Sequence, residues 1–171
     1  MERVVPEGFI LNEGRGPYTT HNGPFYINTS NDPWLHGTFI LDRHCNGAQI
    51  AHGGMLMSFA DGICGHAVYK ETRTAGVTIK LNSEFLSAVR TGEWLEGYAK
   101  VNSTKDDFVF CESKLYVGNR DVLLVNSIFK LRTNKEQKKI IKNLLKKNGF
   151  RDITSIKDLK NKERFTFGKL E

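Results

Sequence analysis

The chain has 171 residues, 39% of them hydrophobic, with eleven Phe, five Tyr and two Trp; that fits one ordinary domain with a real core and excludes a chain disordered throughout. The formal charge of +6 raises the question of a nucleic-acid partner, but residues 1–133 hold 13 Lys and Arg against 14 Asp and Glu, whereas residues 134–171 hold 12 against 5. The basicity therefore belongs to the tail, where a solvated helical face is the plain reading and an anion-binding or membrane-surface role the alternative.

The opening stretch MERVVPEGFILNEGRG interrupts every apolar run with charge or glycine. No signal-peptide core and no spanning helix can be drawn through it, so a cytoplasmic protein with no membrane insertion and no nucleic-acid partner is expected. Residues 1–33 are punctuated by Gly14, Gly16-Pro17, Gly23-Pro24 and Asp32-Pro33, and are predicted to form an N-terminal covering segment rather than a layer of the core. Residues 34–42, WLHGTFILD, read as the first strand, ending before the turn-like Arg43–Gly47.

From Gly53 to about Tyr69 the run GGMLMSFADGICGHAVY lacks strand alternation and is long enough for a helix. It is apolar nearly all round, leaving a polar or small stripe at Ser58, Asp61, Gly62 and Gly65. A helix without a wet face is buried on most sides. Gly62 and Gly65 would each cost roughly 1 kcal/mol in an exposed helix interior, so close approach of another backbone or a ligand is their better account.

After Arg73 the period becomes two. Residues 76–86 place Val77, Ile79 and Leu81 on one face and Thr78, Lys80 and Asn82 on the other. Residues 92–102, Phe108–Val117 and Val122–Leu131 follow, joined by the Asn102–Asp107 loop and a tight turn at Gly118-Asn119. A four-strand antiparallel meander after one buried helix is expected. The fold class is α+β, with an antiparallel sheet wrapped around one long helix, the hotdog arrangement.

From Asn134 the tail reads as an amphipathic helix closing at Asn148-Gly149, with Ile140, Ile141, Leu144 and Leu145 on one side; beyond Phe150 the pattern weakens. That stripe is expected to dock on the core or on a partner subunit. The predicted organisation is a covering segment at 1–33, the hotdog domain at 34–133 and a basic helical extension at 134–171. Cys45, Cys64 and Cys111 show no CxxC pair and no zinc-finger spacing, and read as reduced thiols.

The densest chemistry lies in His44-Cys-Asn46-Gly47-Ala-Gln-Ile-Ala-His52-Gly53-Gly54 and the helix that follows. A loop delivers two glycines to a helix N-terminus, where unsatisfied N–H groups and positive dipole suit a developing oxyanion; a tight turn is the plain alternative. Asp61 sits in the middle of a helix that otherwise rejects charge, so it serves either a structural hydrogen bond or chemistry. Gly54 and Asp61 are separated by roughly 10 Å along one helix axis. A base and an oxyanion donor that each work at about 3 Å do not bridge that gap, whereas two antiparallel helices from two protomers do.

The stretch HCNGAQIAHGGMLMSFADGICGHAV resembles the signature of the PaaI-like acyl-CoA thioesterases, within the hotdog-fold 4-hydroxybenzoyl-CoA thioesterase-like superfamily: an H-x-N loop, an H-G-G turn and an acidic residue in the next helix. The similarity continues through GVTIKLNSEFLSAVRTGE and covers about residues 34–132. The resemblance implies hydrolysis of an acyl-CoA thioester to free acid and CoA, with the thioester as substrate and no metal or redox cofactor. Asp61 would activate water, Gly54 with Gly53 would donate backbone N–H to the thioester oxygen, and Asn46 would orient water or carbonyl. Thr78 falls near the base, His52 braces the loop, and Arg90 lies in a turn close to the CoA phosphates, or is a solvated turn charge. A homo-oligomer is implied, a dimer or a dimer of dimers.

Rival chemistries find less support. Cys64 lies one turn past Asp61 without a histidine placed to activate it, and His44, His52, Asp61 and His66 have no metal-ligand spacing. A hotdog hydratase or dehydratase needs a catalytic His and carboxylate in other contexts. A non-catalytic acyl-CoA sensor would keep the pocket and usually lose the base.

Overall fold

The computed structural model describes residues 4–14, 16–132, 134–157 and 163–170, in two units, Met1–Leu131 and Arg132–Glu171. In the first unit the elements run β1 (Ile10–Leu11), α1 (Pro17–Asn22), β2 (Tyr26–Asn28), β3 (Leu35–Phe39), a single 3-10 turn (Asp42–His44), α2 (Gly53–Thr72), β4 (Gly76–Phe85), β5 (Trp94–Lys105), β6 (Phe108–Val117) and β7 (Arg120–Leu131). Seven antiparallel strands form one sheet in the order β1-β2-β3-β5-β6-β7-β4, and α2 packs against β4 to β7. This is the layering expected from one long helix and an antiparallel sheet.

The helix α2 is set at both ends. The His52 side chain accepts a hydrogen bond from Gly54 N–H at its start, and Arg73 takes the left-handed conformation (φ 54°) with its N–H on Tyr69 O at its end. Leu56, Phe59, Ala60, Ile63, Cys64 and Val68 point into the sheet and meet Leu95, Val109, Leu115, Val125 and Phe129. Each large aliphatic or aromatic side chain buried in this way contributes about 1.5–3 kcal/mol. The sheet comes close to the helix at Gly97, opposite Leu115 in the β5–β6 register. A Cβ there would crowd the Leu115 side chain and come within 3.0 Å of both Ile63 Cδ1 and the Lys114 carbonyl.

Several sequence expectations are corrected by the structure. The strands do not form a four-strand meander: β5, β6 and β7 are consecutive neighbours, but β4 pairs with β7. The cause is the connection 86–93, too long for a tight hairpin. It crosses the end of the sheet instead, anchored by the fully buried Val89, whose carbonyl receives Ala51 N–H at 2.7 Å. Second, Val77 and Ile79 do not share the inner face with Leu81. The β4–β7 register slips between Thr78 and Lys80, so Thr78 and Leu81 are half-buried while Val77 and Ile79 are exposed. Third, β5 runs on to Lys105, and the predicted loop shrinks to Asp106-Asp107, with Asp106 at φ 53°. Fourth, the covering segment also contributes strands: β2 pairs with β3, β1 pairs with β2, and Ile27 and Asn28 are buried.

The strand read at residues 34–42 is β3, and it is shorter than read, because Asp42–His44 turns back before the signature loop. In the second unit α3 (Asn134–Lys147) forms as expected and packs against β8 (Phe150–Lys157) and β9 (Glu163–Leu170). Where the sequence pattern weakens, then, β8 and β9 pair antiparallel. Ile140, Ile141 and Leu144 are exposed. No helix among the described residues is long and apolar enough to cross a membrane.

The close approach at Gly97 yields a test of this packing. Gly97→Ala is expected to destabilise the folded protein by about 1–3 kcal/mol through overpacking; urea titration with an unchanged m-value checks it, and wild-type stability would show that the helix and sheet are further apart than described.

Candidate active site

The signature loop is a small closed turn. Cys45 bridges Ala51, His52 N–H donates to His44 O at 2.8 Å, and Asn46 N–H donates to Ile50 O at 2.9 Å. Asn46 is exposed and its carboxamide oxygen accepts from Ala48 N–H at 2.9 Å, so this side chain shapes the turn. Arg90 is exposed too. Its backbone bridges Ile50, and its N–H donates to Glu93 Oε2 at 2.6 Å, which places it beside the loop.

His52 is the N-cap of α2: its Nδ1 accepts Gly54 N–H at 3.0 Å. The imidazole therefore braces the helix start as expected, and in doing so occupies the N–H assigned to a thioester oxygen. The same contact accounts for the glycine, since a Cβ at Gly54 would lie 3.1 Å from His52 Nδ1. A Cβ at Gly53 would lie 3.1 Å from the Phe85 ring.

Asp61 is half-buried near the middle of α2, and Thr78 Oγ1 donates to its Oδ1 at 2.6 Å. This contact exists because the β4 bulge turns Thr78 toward the helix. Beside it, a Cβ at Gly62 would meet no atom of the described residues within 4 Å outside its own helical turn. Asp61 and Gly62 line a cavity of about 170 Å3 together with Ser58 and His66 of α2, Tyr18 of α1 and His36 of β3.

Two groups of predicted residues thus emerge: Asp61 with Thr78, and the helix start His52, Gly53 and Gly54 beside the loop that holds Asn46 and Arg90. The other candidates are separate. Cys64 is fully buried, with its thiol hydrogen-bonded to Cys111 under the helix. Hydrogen bonding to Cys64, and then burial, push the Cys111 thiol up. His66 Nδ1 shares a 2.7 Å hydrogen bond with His36 Nε2.

His44, which the sequence reading placed only in a motif, has a definite task. It is 2% exposed; Nδ1 accepts Leu41 N–H at 3.1 Å, so Nε2 carries the proton donated to Asn22 O at 2.8 Å. It ties the signature loop to the end of α1. Sequence reasoning also missed Tyr18, whose hydroxyl meets Ser58 Oγ at 2.8 Å. An exposed tyrosine in a turn-rich segment carries no periodic signal.

A family model described as the thioesterase superfamily matches residues 48–123. The Pseudomonas aeruginosa protein named Putative esterase PA0474 is 32% identical over 130 residues, covering 74% of this chain and 97% of that protein. The chain belongs to the thioesterase superfamily. Among solved structures, a hypothetical thioesterase of Streptococcus pneumoniae with coenzyme A covers 63% of this chain and 87% of its own, at 19% identity and a TM-score of 0.58. The PaaI protein of E. coli covers 58% and 72%, at 21% identity and a TM-score of 0.55. These likenesses carry the hotdog fold of the thioesterase superfamily. The family match contains Asp61, Thr78, His52, Gly53, Gly54 and Arg90; Asn46, His44 and the N-terminal segment lie ahead of it.

Burial holds the His44 pKa below its ordinary value of 6.5, outweighing the backbone hydrogen bond to Asn22, which acts the other way. Protonation also removes the acceptor of Leu41 N–H. The folded form binds this proton less readily than the unfolded chain, so His44 contributes stability that is complete above about pH 6.5 and lost as pH falls through the lower folded value. Thermal unfolding from pH 8 to pH 5 should show a steeper fall in Tm for wild type than for His44→Gln. Parallel curves would mean that His44 titrates normally.

Proposed function

We propose that this member of the thioesterase superfamily hydrolyses an acyl-CoA thioester to free acid and CoA, with Asp61 as general base. The observation that carries the reading is the Asp61 carboxylate, half-buried at a cavity and oriented through one oxygen by Thr78 at 2.6 Å. With Oδ1 engaged, Oδ2 is left to take a proton from water as its oxygen attacks the thioester carbonyl. Collapse of the tetrahedral intermediate breaks the carbon–sulfur bond, and the CoA sulfur leaves with the proton that Asp61 took from water. Gly54 N–H at the start of α2 is the donor for the oxyanion once His52 yields it, and Arg90, exposed beside the loop, is suited to the CoA phosphates. The coenzyme A named in the Streptococcus pneumoniae structure supports this substrate class.

The occupant that completes the site is a second copy of the chain. Within one copy, seven helical steps separate Gly54 from Asp61, roughly 10 Å along the axis. β4 is the last strand of the sheet and carries exposed Val77, Ile79 and Phe85, an edge of the kind that pairs. A dimer built on β4, or a dimer of such dimers, brings the Gly54 of one copy toward the Asp61 of the other.

Asp61→Asn is expected to fold and to bind acyl-CoA while losing roughly 10²-fold or more in kcat, read as thiol release across an acyl-CoA panel. Thr78→Val, which removes the orienting donor, should lower kcat about tenfold with little change in KM, and Thr78→Ser should restore it. Near-wild-type turnover by Asp61→Asn ends the mechanism, and tight binding without turnover by wild type would make the protein an acyl-CoA sensor.

The shared site has its own test. Mixing Asp61→Asn with Gly54→Val should regenerate activity, because one of the two sites in a heterodimer then carries both intact residues. No recovery from heterodimers demonstrated by native mass spectrometry would place the site within one chain.

A further inference from the structure

The cavity beside Asp61 is not built by the family core alone. Its floor is one face of α2, where Met55, Ser58, Phe59, Gly62 and His66 recur at helical spacing. Its opposite wall comes from residues ahead of the family match, Tyr18 of α1, Phe25 and His36 among them. Several interactions fix that wall. Tyr18 Oη meets Ser58 Oγ at 2.8 Å, Phe25 stacks on Phe59 with ring centroids 5.1 Å apart, and Thr38 Oγ1 donates to Pro24 O at 2.9 Å. Asn22, at the end of α1, receives the His44 hydrogen bond, and Arg43 donates to the carbonyl of Gly23.

We propose that this N-terminal wall sets acyl length, so that the site takes compact, uncharged acyl groups and refuses long saturated chains; the inference rests on the reading of Asp61 as the base of an acyl-CoA hydrolase. Three features point that way. The volume of about 170 Å3 is close to the roughly 150 Å3 of a cavity that holds one benzene, which matches an acyl group of about six carbons. The walls near Asp61 are apolar at Met55, Phe25, Phe59 and Ile63, and among the described residues neither Lys nor Arg lines them, so a second carboxylate would face Asp61 uncompensated by them. Along α2, five residues and roughly 7.5 Å beyond Asp61, the hydrogen-bonded His36–His66 pair sets polar rings against the cavity. A longer alkyl chain would have to lie on those rings.

The test uses the full-length protein with acetyl-, hexanoyl-, benzoyl- and dodecanoyl-CoA, and in parallel the thioethers of CoA bearing the same carbon chains, which bind but cannot be hydrolysed. Wild type should favour hexanoyl or benzoyl over dodecanoyl by ~100-fold in kcat/KM, and the thioethers should rank in the same order by calorimetric Kd. Tyr18→Ala and Phe25→Ala each thin the wall, and each should raise the dodecanoyl-to-hexanoyl ratio by ~10-fold or more, the scale on which pocket contacts discriminate chain length. Tyr18 is 65% exposed, so its replacement leaves the core intact. Equal handling of dodecanoyl and hexanoyl by wild type, or ratios unmoved in both variants, overturns the inference. If the thioethers show the length order and no thioester is hydrolysed, the wall stands and the hydrolase reading falls. Hydrolysis without length preference does the reverse, sparing the hydrolase reading and removing the wall, and failure of every thioether to bind removes both.

Discussion

Burial of Leu56, Phe59, Ile63 and Val68 of α2 against Leu95, Val109, Leu115 and Phe129 of the sheet is the constraint on which the remaining geometry rests. A helix presents one stripe to one layer, so once these residues face the sheet, Ser58, Gly62 and His66 must look elsewhere. Asp61 lies at the margin between the two faces. It is close enough to β4 to take a hydrogen bond from Thr78 and close enough to the N-terminal segment to line a cavity. A carboxylate there is neither sealed in the core, where its desolvation would be costly, nor fully in water, where its orientation would be loose. The absence of a Cβ at Gly97 lets β5 come near enough for this arrangement, because any side chain at that point would hold Ile63 and Leu115 apart.

The bulge in β4 is a local departure with a consequence for the site. Regular alternation would have put Val77 and Ile79 inside with Leu81, and Thr78 outside with Lys80. One skipped residue inverts the phase of the strand's first turn, bringing a hydroxyl to Asp61 and two aliphatic side chains to the outer edge. The same defect thus supplies the partner of the candidate base and the apolar character of the edge strand. Both effects belong to a single backbone feature, so orientation of the carboxylate and stickiness of the edge are coupled in this chain.

Period and length made α2, β5, β6 and β7 legible in the sequence, because each buries a continuous face and the signal accumulates over ten or more residues. The partner of β4 was not legible. Pairing depends on how the connection 86–93 travels, and its one informative residue, Val89, is a lone apolar side chain among turn formers. The bulge was invisible for a related reason: Val77, Ile79 and Leu81 alternate perfectly in sequence, and only the register with β7 shows the slip. At the site, Asp61 and the glycine pair stood out because a charge and two glycines are anomalous in an apolar helix. Thr78 entered only through family resemblance. Tyr18, His36 and His66 had no sequence signal, since the cavity they line is assembled from segments far apart in the chain. The hairpin of β8 and β9 shows the limit of periodic reading, as the charged pairs Arg151-Asp152 and Glu163-Arg164 interrupt the alternation of both strands.

The start of α2 presents a competition that the proposed chemistry has to resolve. Gly54 N–H donates to His52 Nδ1 at 3.0 Å, and one N–H cannot serve both an imidazole and a thioester oxygen at full strength. Side-chain caps of this kind contribute about 0.5–2 kcal/mol, whereas an oxyanion gains more from a helix N-terminus as charge develops than a neutral carbonyl does in the ground state. A donor held by a weak neutral acceptor is therefore biased toward the transition state: the ground-state carbonyl competes poorly with His52, and the oxyanion competes well. His52 is exposed, so turning its ring away disturbs no core packing and costs little beyond the cap. The Gly54 position accommodates this motion because it carries no Cβ to meet the ring. The residue that braces the loop and the donor that would stabilise the oxyanion are in this way two states of one hydrogen bond.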